Sequence, residues 1–266
     1  SSALKVCQKS STLSYFNTRL LGRPCFSKVR YVGVTHECLN VGGASVSEKI
    51  LELEDHEDGG CKKEKFTRDL RLLLEAPQDC PRTLFYLGQT YWCLHRYREA
   101  LRTYTTYLPL SRWDEEAWFA RYMITQCHVA LGEDVEALEA GLWAYHVRPW
   151  RAEPLLVLVH LCLKRRWFHL GWLCATLGAK IPYPHQDILF VARGLYETPR
   201  FQFEKSILAY YVRKLTEGLA LCDTLHLTQP AWTKIVTANL PFYLSPRKDV
   251  EDHPLPFSVS GVARLD

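Results

Sequence analysis

The chain has 266 residues, 47% of them hydrophobic, enough to bury a sizeable core as one large domain or two smaller ones. Its 33 basic and 29 acidic side chains leave a formal charge of +4, too small a bias to indicate nucleic acid or an anionic membrane surface as partner. The longest apolar run, Pro154 to Leu163, is broken by His160 and followed by Lys164, Arg165 and Arg166, short of the roughly 18 apolar residues of a membrane span.

Residues 15 to 41 are rich in β-branched and aromatic types, with Val29, Tyr31, Val32 and Val34 around Gly33, and predict short strands. From Gly42 to Gly60 the chain turns to glycine, serine and acids, which predicts a solvated loop with at most one short strand and a linker over 42–62.

After Lys62 the apolar residues recur with helical period. Leu84, Leu87-Gly88, Tyr91, Ala100, Tyr104 and Tyr107 match the tetratricopeptide pattern of about 34 residues. The small residue at Ala100 recurs at Ala137, Gly171 and Gly218, in steps of 37, 34 and 47 residues. Small residues are required where two helices cross closely, because a larger side chain would hold the axes apart. The fold class is therefore mainly α, a tetratricopeptide-like α-solenoid over 63–245 preceded by a short β-rich segment.

The long third step is explained by Ile181 to Pro199, where Pro182, Pro184 and Pro199 forbid one uninterrupted helix. A short helix is predicted over Asp187 to Tyr196. Trp232 to Tyr243 predicts a last helix capping the array. The tail 246–266, with its charges and Pro254 and Pro256, is expected to be disordered.

Arg30-Tyr31-Val32-Gly33-Val34-Thr35-His36-Glu37-Cys38-Leu39 resembles the segment that closes the catalytic domain of inverting, GT-A type family 2 glycosyltransferases, in the subgroup with a tetratricopeptide-like C-terminal extension. Pro81 to Gln89, Trp113-Asp114-Glu115-Glu116, Ile181-Pro182-Tyr183-Pro184 and Asp187 to Val191 extend the resemblance in the same order. It implies that residues 1–41 are the tail of a catalytic domain whose parent transfers a sugar from a nucleotide-sugar donor. It also implies that His36 completes the site of a divalent metal, Mn or Mg, on the donor diphosphate, with Glu37 beside it. Only 35 residues precede His36, too few for a nucleotide-binding half. The chain also begins Ser1-Ser2 and is expected to be a fragment or processed product. No catalytic residue is assigned, and the chain alone is expected to be inactive and to hold no cofactor.

The rival expectation is a non-catalytic adaptor. Repeat counting puts Arg82, Phe85, Gln89 and Trp92, then Phe119, Tyr122 and Gln126, then Glu153, Leu156, His160 and Lys164 on the face that lines the groove. Phe85 and Gln89 depart from the Lys and Asn of domains that clamp a C-terminal carboxylate. The aromatic residues and Arg82 suit a protein segment, a glycan acceptor or a second copy of the chain alike. Trp113 followed by acids predicts a packing anchor and a complement to the helix dipole.

Ten cysteines include no C-x-x-C pair and no metal-type spacing. Cys93, Cys127, Cys162, Cys174 and Cys222 fall within apolar helical patterns and read as buried free thiols, which favours a reducing, cytoplasmic compartment.

Overall fold

The computed structural model describes residues 2–9, 14–21, 30–35, 38–40, 45–54 and 62–244. His36, Glu37 and the tail 246–266 lie outside the described residues. The chain is a mainly α, tetratricopeptide-like helical repeat preceded by short strands.

Strands β1 (Ser2–Lys9), β2 (Ser14–Leu21) and β5 (Ser45–Glu54) form one sheet in the order β2-β1-β5, with β1 antiparallel to β2 and parallel to β5. β3 (Arg30–Val32) and β4 (Cys38–Asn40) pair antiparallel, Tyr31 opposite Leu39. The ten-residue β5 occupies most of what the sequence predicts as a solvated loop. Its Val46, Ile50, Leu51 and Leu53 are the strand signal that the flanking glycines and acids concealed.

The helices are α1 (Lys62–Glu75), α2 (Pro81–Cys93), α3 (Tyr97–Tyr107), α4 (Asp114–Leu131), α5 (Asp134–Val147), α6 (Glu153–Arg165), α7 (Phe168–Gly178), α8 (Arg193–Glu197), α9 (Arg200–Tyr211), α10 (Leu215–Thr228) and α11 (Thr233–Leu244). They fall into two compact units, residues 1–132 with 185–191, and residues 133–184 with 192–266. In the first unit α2 packs on α3 and α3 on α4. In the second α6 packs on α7, α7 on α9, α9 on α10, and α11 closes on α10.

Local chemistry sets the ends. Proline opens α2 and α6, where its missing N–H has no intrahelical partner to lose. Asp114, Glu115 and Glu116 stand in the first turn of α4, complementing the dipole. The residue five before each repeating small residue turns left-handed: His95 at φ 58°, Gly132 at 75°, Arg166 at 62° and Arg213 at 62°. At three of these turns the hydrogen bonds repeat, for example Arg96 N–H to the Tyr91 carbonyl at 2.9 Å and His95 N–H to Trp92 at 2.9 Å. This is the Schellman closure, which satisfies helix-end carbonyls.

The small residues lie at the seams as expected. Ala100 and Ala137 are fully buried, and Tyr243 packs onto the bare face of Gly218 while its hydroxyl donates to the Ser206 carbonyl. Two further expectations fail. The helix predicted over Asp187 to Tyr196 is confined to Arg193–Glu197, because Phe190 is left-handed at φ 47° and leaves the helical path. Cys93 is exposed at the end of α2, whereas Cys127, Cys162, Cys174 and Cys222 are buried.

Candidate functional site

In the first unit, α2 and α4 bring together Phe85, Phe119 and Tyr122, three of the residues predicted for the groove. Their ring centroids are spaced 5.9 Å from Phe85 to Phe119 and 6.1 Å from Phe119 to Tyr122. Phe85 is only 1% exposed, so it floors this face rather than lining it, held edge-on by Tyr104 of α3 and at 5.4 Å by Tyr107. Tyr122 stacks on Trp118 at 5.7 Å and accepts a hydrogen bond from Gln126. Arg82 lies over the ring of Tyr86, Trp92 packs on Tyr97, and Gln89 is half-buried.

Phe119, half-buried above this floor, is covered by the chain itself. Phe190 sets its ring 4.4 Å from Phe119. Two residues earlier, the carboxylate of Glu115 accepts the backbone N–H groups of Ile188 at 2.8 Å and Leu189 at 2.7 Å on a single oxygen. Glu115 is buried, as are Asp187 and Val191 at the two ends of the stretch, whereas the Ile188 side chain is 69% exposed. The polar contact thus engages the main chain, and the ring supplies the side-chain contact. Glu115 was expected only to complement the helix dipole. Its partners lie 73 and 74 residues away and carry no side-chain signature.

Neighbouring acids do different work. Glu116 accepts the Tyr107 hydroxyl at 3.0 Å, and burial raises its carboxyl above the usual range against the opposing effect of that bond. Trp113, expected as a packing anchor, is 40% exposed.

The remaining predicted groove residues, Glu153, Leu156, His160 and Lys164, lie in the second unit. Glu153 is held in a buried ion pair, 2.9 Å from Arg151 Nη2, and also accepts the Tyr196 hydroxyl at 2.7 Å and the Ala192 N–H at 3.2 Å. His160 sits 3.1 Å from Glu204, which pairs with Arg200 at 2.8 Å. Leu156 is buried and Lys164 exposed.

A separate cavity of about 260 Å³ in the first unit is lined by Val34, Thr35, Leu73, Cys80, Arg82 and Tyr86, among others. At the start of α2 the Thr83 N–H chiefly lowers the Cys80 thiol below its ordinary value, against burial. Among the described residues no three His, Cys, Asp or Glu side chains are placed to hold a metal ion, and no helix is long and apolar enough to cross a membrane.

No protein-family model matches the chain, and no curated protein sequence matches it. Among solved structures it is similar to a thermophilic TPR protein of Thermus thermophilus, with 18% identity and a TM-score of 0.45 over 69% of this chain and 91% of that one.

Proposed function

We propose that this chain is a protein-interaction module that takes an extended segment of a partner on the α2 and α4 face of its first unit. The observation that carries the reading is the seat itself: one carboxylate oxygen holds two consecutive backbone N–H groups while the next ring rests on Phe119. A carboxylate acceptor makes these hydrogen bonds stronger than neutral ones, and aromatic anchors at the centre of a contact dominate binding energy.

The test is selection from a random-peptide display library on the full chain and on its Phe190→Ala variant, followed by titration of synthetic winners. Enriched peptides should lose at least tenfold affinity in Phe119→Leu and in Glu115→Ala. Winners indifferent to both substitutions, or no winners on either protein, would overturn the reading.

The finer reading makes the chain the C-terminal part of a nucleotide-sugar transferase, its repeat holding the glycan or protein acceptor. It is supported by residues 30–39, of which His36 and Glu37 lie outside the described residues. Calorimetry with a nucleotide-diphospho-sugar and manganese separates the two. Heat that disappears in His36→Ala would favour the transferase.

A further inference from the structure

The seat on Glu115 and Phe119 is already filled by the chain's own residues 187–190, and that occupant shows what the site would take from another molecule. We infer that Asp187–Phe190 is a built-in stand-in for a partner segment, which displaces it and presents the same chemistry: two consecutive free backbone N–H groups followed by an aromatic side chain. The inference rests on the interaction reading above.

Three observations support it. First, Glu115 bonds the main chain of Ile188 and Leu189, so a competitor needs only the absence of proline at those two places, whatever their side chains. The 69% exposure of Ile188 agrees, since that side chain is left in solvent rather than read. Second, the aromatic contact is specific in shape: Phe190 meets Phe119 at 4.4 Å with the planes inclined by 34°, above a floor made by Phe85 and Tyr122. A branched aliphatic side chain would leave part of the Phe119 ring uncovered.

Third, the occupant is held under strain. Phe190 carries a Cβ yet adopts φ 47°, the left-handed region in which that Cβ crowds its own carbonyl. A segment from another molecule is free to place its ring with a relaxed backbone. The stand-in therefore keeps the aromatic face from water until an unstrained competitor arrives.

The experiment uses the full chain and a fluorescent synthetic peptide with the sequence of residues 184–192, together with two altered peptides, one with Phe190→Ala and one with Leu189→Pro. Fluorescence anisotropy should show the parent peptide binding the Phe190→Ala protein at least tenfold more tightly than the unaltered protein. Both altered peptides should fail to bind, and Phe119→Leu in the Phe190→Ala background should abolish binding of the parent peptide. Amide exchange should show Ile188 and Leu189 losing protection in the Phe190→Ala protein while α4 keeps its own.

Unchanged protection of those two amides would sink the inference. Equal affinity for the unaltered and Phe190→Ala proteins would remove the stand-in while leaving the interaction reading intact. Failure of the parent peptide on a protein whose segment is demonstrably released would overturn the inference; a concurrent lack of Phe119-dependent library winners would overturn the interaction reading too. A dimer that dissociates on adding peptide would mean that the segment is exchanged between copies, which overturns the assignment to a foreign partner.

Discussion

The ring of Tyr104 lies so close to the bare Cα of Gly88 that a Cβ there would stand 2.8 Å from Tyr104 Cε1. Tyr104 is fully buried, so the ring has no free direction in which to retreat. Gly88→Ala should therefore destabilise the protein, since overpacking of about 1–3 kcal/mol exceeds the ~1 kcal/mol by which Ala is the better helix former. The Tyr104 hydroxyl is buried with no hydrogen-bond partner among the described residues, and Tyr104→Phe should leave the thermal midpoint unchanged or raise it. A fall in Tyr104→Phe would show that the hydroxyl is satisfied after all.

Gly171 offers a graded version of the same test. A Cβ there would meet Cys162 Cβ at 3.0 Å and Leu208 Cδ2 at 3.1 Å, tight contacts of which the second is a flexible methyl. Gly171→Ala should stay within about 1 kcal/mol of the parent, the helix gain offsetting the contact. Gly171→Leu should cost about 1–3 kcal/mol. Equal thermal midpoints for the two variants would remove Gly171 from the seam.

The ion pair between Arg151 and Glu153 is almost wholly out of water, at 0% and 2% side-chain exposure. Glu153→Ala removes a carboxylate that the buried guanidinium faces at 2.9 Å and should cost about 3–5 kcal/mol in urea unfolding. Replacing both residues with Met should cost less than Glu153→Ala alone, because the guanidinium is then removed together with its carboxylate. A double variant as unstable as the single one would show that Tyr196 and Ala192, rather than the charge, set the penalty.

Thiol chemistry divides five of the described cysteines sharply. Burial pushes Cys127 and Cys162 up to about 12, and Cys174 and Cys222 up to about 11. Cys80 is shifted the other way by the Thr83 N–H. A lowered thiol pKa gives thiolate at lower pH, and the thiolate is the nucleophile. Iodoacetamide at pH 7 followed by peptide mapping should label Cys80 early and the four buried thiols only on unfolding. Labelling of Cys127 in the native protein at the rate of Cys80 would refute this.

The seams of the repeat were legible in the sequence because close helix crossing restricts residue identity at Ala100, Ala137, Gly171 and Gly218 to the smallest side chains. The direction of an aromatic residue is not restricted in that way. Phe85 carries the pattern of a groove residue, yet it lies beneath Phe119. The apolar run Ile188-Leu189-Phe190-Val191 reads as the start of a helix, but Phe190 turns left-handed, and the Ile188 and Leu189 N–H groups go to Glu115. Hydrogen bonds from main chain to a distant carboxylate leave no trace in residue type at the donor. The seat could therefore be found only in three dimensions.

The left-handed turns give the repeat a property of another kind, an adjustable melting temperature. His95, Arg166 and Arg213 hold a conformation that Gly132 adopts at the fourth turn without a Cβ in the way. Changing each to glycine should release about 1 kcal/mol of backbone strain, partly offset by the freer unfolded chain and by lost contacts such as that of His95 with the Tyr97 hydroxyl at 2.7 Å and of Arg166 over the Phe168 ring. All three side chains are exposed, and none belongs to the seat formed by Glu115 and Phe119. The three turns thus act as dials: stability can be raised in small separate steps, read as successive rises in thermal midpoint, while affinity for a bound segment stays constant.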